Sequence, residues 1–76
     1  MTESREERLR IVAYGRCRAA PRNFDGRRKY LPSISGMICQ LSEAEEDCYR
    51  TSKEAVAAAE TFRAIAREKL VEEFGG

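Results

Sequence analysis

The chain has 76 residues, enough for one small domain, with 14 Lys+Arg against 13 Asp+Glu and a formal net charge of +1. That balance excludes an overtly basic or acidic partner-seeking protein, and 42% hydrophobic with 36% charged residues is a folding rather than a disordered composition. The absence of histidine removes the commonest general base and zinc ligand, and no apolar run reaches the roughly 20 residues of a membrane span.

Thr2 to Arg8 is polar, and Ser4 with Glu7 has capping-box spacing, so residues 1–8 are either a short helix or a flexible arm. From Leu9 the period becomes two. Leu9, Ile11, Ala13, Gly15, Cys17 and Ala19 share one side; Arg8, Arg10, Val12, Tyr14, Arg16 and Arg18 share the other. Such alternation predicts a half-buried strand whose inner residues shrink near Gly15, allowing a helix to approach closely. Pro21 should end it. Asp25–Gly26 predicts a tight turn, followed by a second extended run from Lys29 to Leu41. In that run Pro32 suggests a sheet edge and Gly36 a bulge.

Ser42 to Asp47 reads as a solvated acidic loop or a single helical turn, with Ser42 and Glu45 at capping spacing, and Cys48–Arg50 as a minimal third strand. Thr51 and Glu54 form the next capping box. Ala55, Ala58, Ala59, Phe62, Ile65, Ala66, Leu70 and Phe74 then recur at helical spacing, and Gly75–Gly76 supplies a stop. The expected fold is α+β: one domain over residues 1–76, with a two- or three-stranded antiparallel sheet packed on a long C-terminal helix.

No motif specifies a reaction. Cys17, Cys39 and Cys48 have no histidine to activate them and no fourth ligand at metal-site spacing, so the expectation is three free thiols in a reducing cytoplasm, no cofactor, no metal and no enzymatic activity. Charge is uneven along the chain: residues 1–40 hold nine Lys+Arg and four Asp+Glu, whereas residues 41–76 hold five and nine. Two candidate contact patches follow. One is the Arg/Tyr strand face (Arg10, Tyr14, Arg16, Arg18) with Arg27, Arg28 and Lys29 beyond the turn; the other is the acidic loop (Glu43, Glu45, Glu46, Asp47). Exposed Val12, Val56 and Val71 with Tyr14 would add apolar contact area, and Arg with Tyr is the pairing enriched at interface hot spots.

Two resemblances bear on function. Tyr49 to Phe62 (YRTSKEAVAAAETF) resembles the strand–cap–helix junction of double-stranded-RNA-binding domains and of phage integrase arm-binding domains. Only Lys53 stands where the RNA-binding family has a Lys-rich helix start, which counts against RNA binding through the helix. As a whole, a compact, His-free domain with an uneven charge surface is similar in type to small phage-encoded accessory proteins, including anti-CRISPR inhibitors. That resemblance implies stoichiometric occupation of a host nucleic-acid-processing complex by protein–protein contact. Direct nucleic-acid contact through the Arg/Tyr face is the alternative, and a homodimer through the helix stripe is a third.

Overall fold

A computed structural model describes residues 4–75; the expected arm extends beyond them into residues 1–3. Ser4 begins the first element. Its Oγ accepts from the Glu7 N–H at 3.1 Å, and helix α1 runs Arg5–Ala13. Glu6 and Glu7 occupy its first turn, where carboxylates suit the positive end of the helix. This corrects the strand expected from Leu9. Leu9, Val12 and Ala13 also fit a spacing of three and four, and they are the residues that pack inward. Ile11, inward in the strand reading, is 38% exposed. The cap and its first turn settle the ambiguity in favour of helix.

The alternation becomes a strand only after Gly15. Strand β1 spans Cys17–Phe24 and pairs antiparallel with β2, Arg27–Ile34, in continuous register from Cys17↔Ile34 to Phe24↔Arg27. Asp25 (φ 50°) and Gly26 (φ 84°) form the expected two-residue turn, both with positive φ as a type I′ hairpin requires. Pro21 lies inside β1 rather than at its end. Counting back from the bonded pair that flanks a two-residue turn, Pro21↔Tyr30 falls at a non-bonded position, so the proline nitrogen faces the open edge and costs no ladder bond.

Gly36 makes a second tight turn, not a bulge: Ser35 (φ 53°) and Gly36 (φ 79°) lead into β3, Met37–Ile38. The sheet order is β1-β2-β3, which puts Pro32 on the central strand instead of an edge. Its carbonyl accepts from the Cys39 N–H at 3.0 Å, but it has no N–H to return, and β3 stops there. Beyond it, Tyr30 exchanges two 2.8 Å backbone bonds with Tyr49. The third strand expected at Cys48–Arg50 is thus a single bridge, and Met37–Ile38 is the third strand.

Helix α2 spans Ser52–Phe74, about 35 Å at 1.5 Å per residue. Thr51 Oγ1 accepts from the Glu54 N–H at 3.2 Å, and Gly75 (φ 73°) closes the far end by donating to the Val71 carbonyl at 2.9 Å. Of the predicted stripe, Ala55, Ala59, Ala66 and Leu70 are buried, Ala58 and Phe62 half-buried, and Ile65 and Phe74 exposed. The helix packs against β1, β2 and α1, giving the expected sheet-on-helix α+β architecture. Arg5 meets Glu73 while Arg67 reaches the Ala13 carbonyl, so α1 runs antiparallel to α2. At Gly15 the end of α1 and the β2–β3 turn approach closely. A Cβ there would collide with Ser35 Oγ and lie 2.5 Å from Ile34 Cγ2 and 2.6 Å from the Ile11 carbonyl oxygen.

Candidate partner-binding surface

The predicted Arg/Tyr face is not one strand face. Arg10 is on α1, where Glu6 one turn earlier holds it at 2.8 Å. Tyr14 is the residue that closes α1, Arg16 is in the linker, and Arg18 lies on β1 opposite Ser33. All four are exposed, spread over three elements.

The hairpin and the acidic loop, by contrast, meet. Arg27 makes a fork to Glu45, Nε to Oε2 at 2.6 Å and Nη2 to Oε1 at 3.0 Å. Lys29 Nζ stands 4.0 Å from the same carboxylate and donates to the Glu45 carbonyl at 3.5 Å. Arg22 pairs with Glu43 at 3.2 Å. Hydrogen bonding from Arg27 pulls the Glu45 carboxyl below its ordinary value and pushes the Arg27 guanidinium up. The loop folds as a single 3₁₀ turn, Glu45–Asp47, with Ala44 at the cap position and no side-chain cap bond. Ser42 Oγ accepts from the Ala44 N–H at 3.3 Å and donates to Asp47 Oδ2 at 2.5 Å, while the Gln40 amide donates to the Ser42 and Asp47 carbonyls at 2.9 Å each.

The two patches therefore meet at Glu45, which Arg27 and Lys29 share, while Glu43 is held by Arg22 from outside both patches. Among the described residues Arg16, Arg18, Arg28 and Glu46 form no ion pair, while Asp47 is held by Ser42. Arg28 is exposed on the hairpin.

A different arrangement places Arg and Tyr together. Arg67 on α2 lies over the Tyr14 ring, 5.4 Å from its centroid, and its Nε donates to the Ala13 carbonyl at 2.7 Å. One turn earlier, Arg63 donates to the Gly15 carbonyl at 3.4 Å. The last carbonyls of a helix lack partners within it and carry partial negative charge, so Arg67 satisfies the end of α1 while Arg63, four residues earlier, holds the linker that follows it. Tyr14 remains 65% exposed, and Val71, one turn beyond Arg67, is 61% exposed. Val12 and Val56, expected to be exposed, are half-buried. Arg22 and Arg67 were absent from the sequence-derived sites. Arg63 and Arg67 do flank the apolar stripe at i, i+4, but their target carbonyls come from 48 and 54 residues away, and no local pattern signals such pairing.

The three cysteines are free and half-buried. Burial pushes the Cys39 and Cys48 thiols up from their ordinary value, so both stay protonated near neutral pH and are poor nucleophiles. No helix among the described residues is long and apolar enough to cross a membrane. Comparison with protein-family models, curated proteins and solved structures returns no match.

Proposed function

We propose that this chain is a non-enzymatic binding protein that works in the cytoplasm by occupying a surface of a nucleic-acid-handling protein complex, as small phage-encoded inhibitors of the anti-CRISPR type do. The observation that carries this reading is the Tyr14–Arg67 pair. Arg67 is anchored through one carbonyl and one ring, so its remaining N–H groups are presented with little rotamer entropy left to lose, beside an exposed tyrosine. Large, pre-positioned Arg and Tyr side chains are what protein interfaces use as energetic anchors. Val71 extends the apolar part of the same neighbourhood along α2.

Direct nucleic-acid binding is the second reading. Of the six cations that the sequence assigned to a contact face, Arg10, Arg27 and Lys29 already hold carboxylates, and Arg16, Arg18 and Arg28 are free among the described residues. Three phosphate contacts would give a salt slope of only about 3.

The test is a target-DNA binding assay with purified CRISPR effector complexes of several types, titrated with the chain. The expected result is loss of DNA binding that saturates at one equivalent, and a Tyr14→Ala/Arg67→Ala variant that needs about tenfold more protein or worse. Labelled DNA and RNA are titrated in parallel at about 50 and 200 mM salt. Tight binding of free nucleic acid that collapses at the higher salt, without effect on the complexes, would transfer the function to the second reading.

A further inference from the structure

Helix α1, strand β3 and the outer half of α2 enclose a groove of about 360 Å³. Its floor is apolar, built from Leu9, Val12, Met37, Ile38, Phe62 and Ile65. Met37 is 43% exposed and Ile65 42% exposed, unusual for large apolar side chains in a chain with so little core to spare. A second hollow of about 330 Å³ shares Arg8, Leu9 and Val12 with the first and carries the groove on along α1. The short β3 is the reason the groove is open. Pro32 ends the ladder after two residues, so no longer strand covers this side.

The rim carries charge of one sign. Arg8 and Lys69 line the groove and are exposed, and neither forms an ion pair among the described residues. Nearby Arg5 and Arg10 both hold carboxylates, Arg5 through a fork to Glu73 at 2.6 and 2.8 Å. A hydrophobic floor between two cations that hold no carboxylate at ion-pair distance, Lys69 lying near enough to Glu73 to help lower its carboxyl, is complementary to a ligand that is apolar on one face and acidic at its flanks. It offers little hydrogen bonding to a nucleobase and a single aromatic ring, Phe62, to stack on, which disfavours a nucleic acid here.

We propose that this groove docks an acidic amphipathic helical segment of a partner protein. Apolar side chains at i, i+3, i+4 and i+7 enter between Leu9 and Ile65, and flanking carboxylates meet Arg8 and Lys69. The proposal rests on reading the chain as a binding protein and names the chemistry of what it binds.

The test titrates the isotope-labelled full chain with a synthetic helical peptide of about four turns that has leucines at those positions and glutamates on both flanks, and with its Glu→Lys counterpart. Backbone shifts are expected at Leu9, Val12, Met37 and Ile65. The exposed-site variant Arg8→Glu/Lys69→Glu should bind the acidic peptide at least about tenfold more weakly and gain affinity for the lysine peptide. Absence of shifts at these residues with about 1 mM peptide would overturn the proposal. So would shifts centred on Tyr14 and Arg67, equal binding of both peptides, or a dimer in sedimentation whose dissociation exposes the groove. Failure of the broader reading looks different. If Arg8→Glu/Lys69→Glu inhibits an effector complex as well as the native chain while Tyr14→Ala/Arg67→Ala does not, the groove proposal is wrong and the binding-protein reading stands. If the peptide docks as described and no complex responds, the groove is right and the proposed target is wrong.

Discussion

The two ends of this 45 × 27 × 18 Å molecule are held together by different forces. At the helical end Ala13, Ala66 and Leu70 are buried against one another, with Leu9 and Val12 packed around them, and the Arg5–Glu73 fork closes the outside. At the hairpin tip nothing comparable is buried: Asn23, Asp25, Gly26, Arg27 and Arg28 are exposed, and the tip is tied to the acidic loop through Arg22–Glu43 and Arg27–Glu45, whereas Leu31, Pro32 and Ile34 farther along β2 are fully buried. Apolar burial is insensitive to salt and scales with area, whereas exposed ion pairs contribute little each and are screened. Stability should therefore be concentrated at the helical end. The hairpin end should open more readily, and mutations should separate the two regions.

Leu70→Ala is expected to have the largest effect. Leu70 is 1% exposed in a core otherwise built largely of alanine, so neighbouring side chains have little volume with which to refill the cavity. A loss of about 2–5 kcal/mol is expected, visible as a lower urea midpoint with unchanged slope. For a domain this small that is a large share of the total stability. An effect no larger than that of a surface substitution would show that the helical end is not the stable one. Gly15→Ala should come next, at about 1–3 kcal/mol, because the added Cβ meets a backbone oxygen and the Ile34 side chain rather than free space. Ile34→Ala/Gly15→Ala sharpens the point. If the steric account is right, removing Cγ2 from Ile34, one of the atoms the new Cβ meets, should make the double variant less destabilised than the sum of the singles.

The ease of reading these regions from sequence also differs, for physical reasons. Elements defined by local chemistry were legible: the Thr51–Glu54 cap, the α2 stripe, the Asp25–Gly26 turn and the Gly75 stop all depend on residues within a few positions of one another. The start of the chain was misread because Leu9–Ala13 satisfies both a period of two and a period of 3.6, and only the Ser4 cap discriminates. The positions of Pro21 and Pro32 depend on hydrogen-bond parity, which requires the register and hence both hairpins. Both charged patches were visible, but their contact through Glu45 was not, since Arg27 and Glu45 lie 18 residues apart and meet only after the sheet forms. Tyr14 was singled out for its chemistry, although its partner Arg67 comes from the opposite end of the chain.

Glu45→Gln should have the smallest effect on global stability and the most diagnostic one on the hairpin end. The substitution removes the charge that Arg27 and Lys29 share while keeping the side chain's length. Because Arg27 lowers the Glu45 carboxyl below its ordinary value of 4.5, the unfolded chain binds this proton more readily than the folded one. The stabilisation is therefore present above about pH 4.5 and is lost as pH falls through the lower folded value. Glu73 behaves the same way at the helical end, where Arg5 is the cause, so Glu73→Gln is the matched control. In native-state amide exchange, Glu45→Gln should reduce protection of the Asp47 and Cys48 N–H groups, which donate within the 3₁₀ turn to Ala44 and Glu45. Helix α2 should be unaffected. Raising salt to about 1 M should erase the difference from the native chain, because the Debye length is then about 3 Å. Glu73→Gln should leave protection in the loop unchanged at every pH. If Glu45→Gln instead lowers protection throughout α2, the two ends unfold as one cooperative unit, and the ion pairs at the hairpin tip support the whole fold rather than its edge.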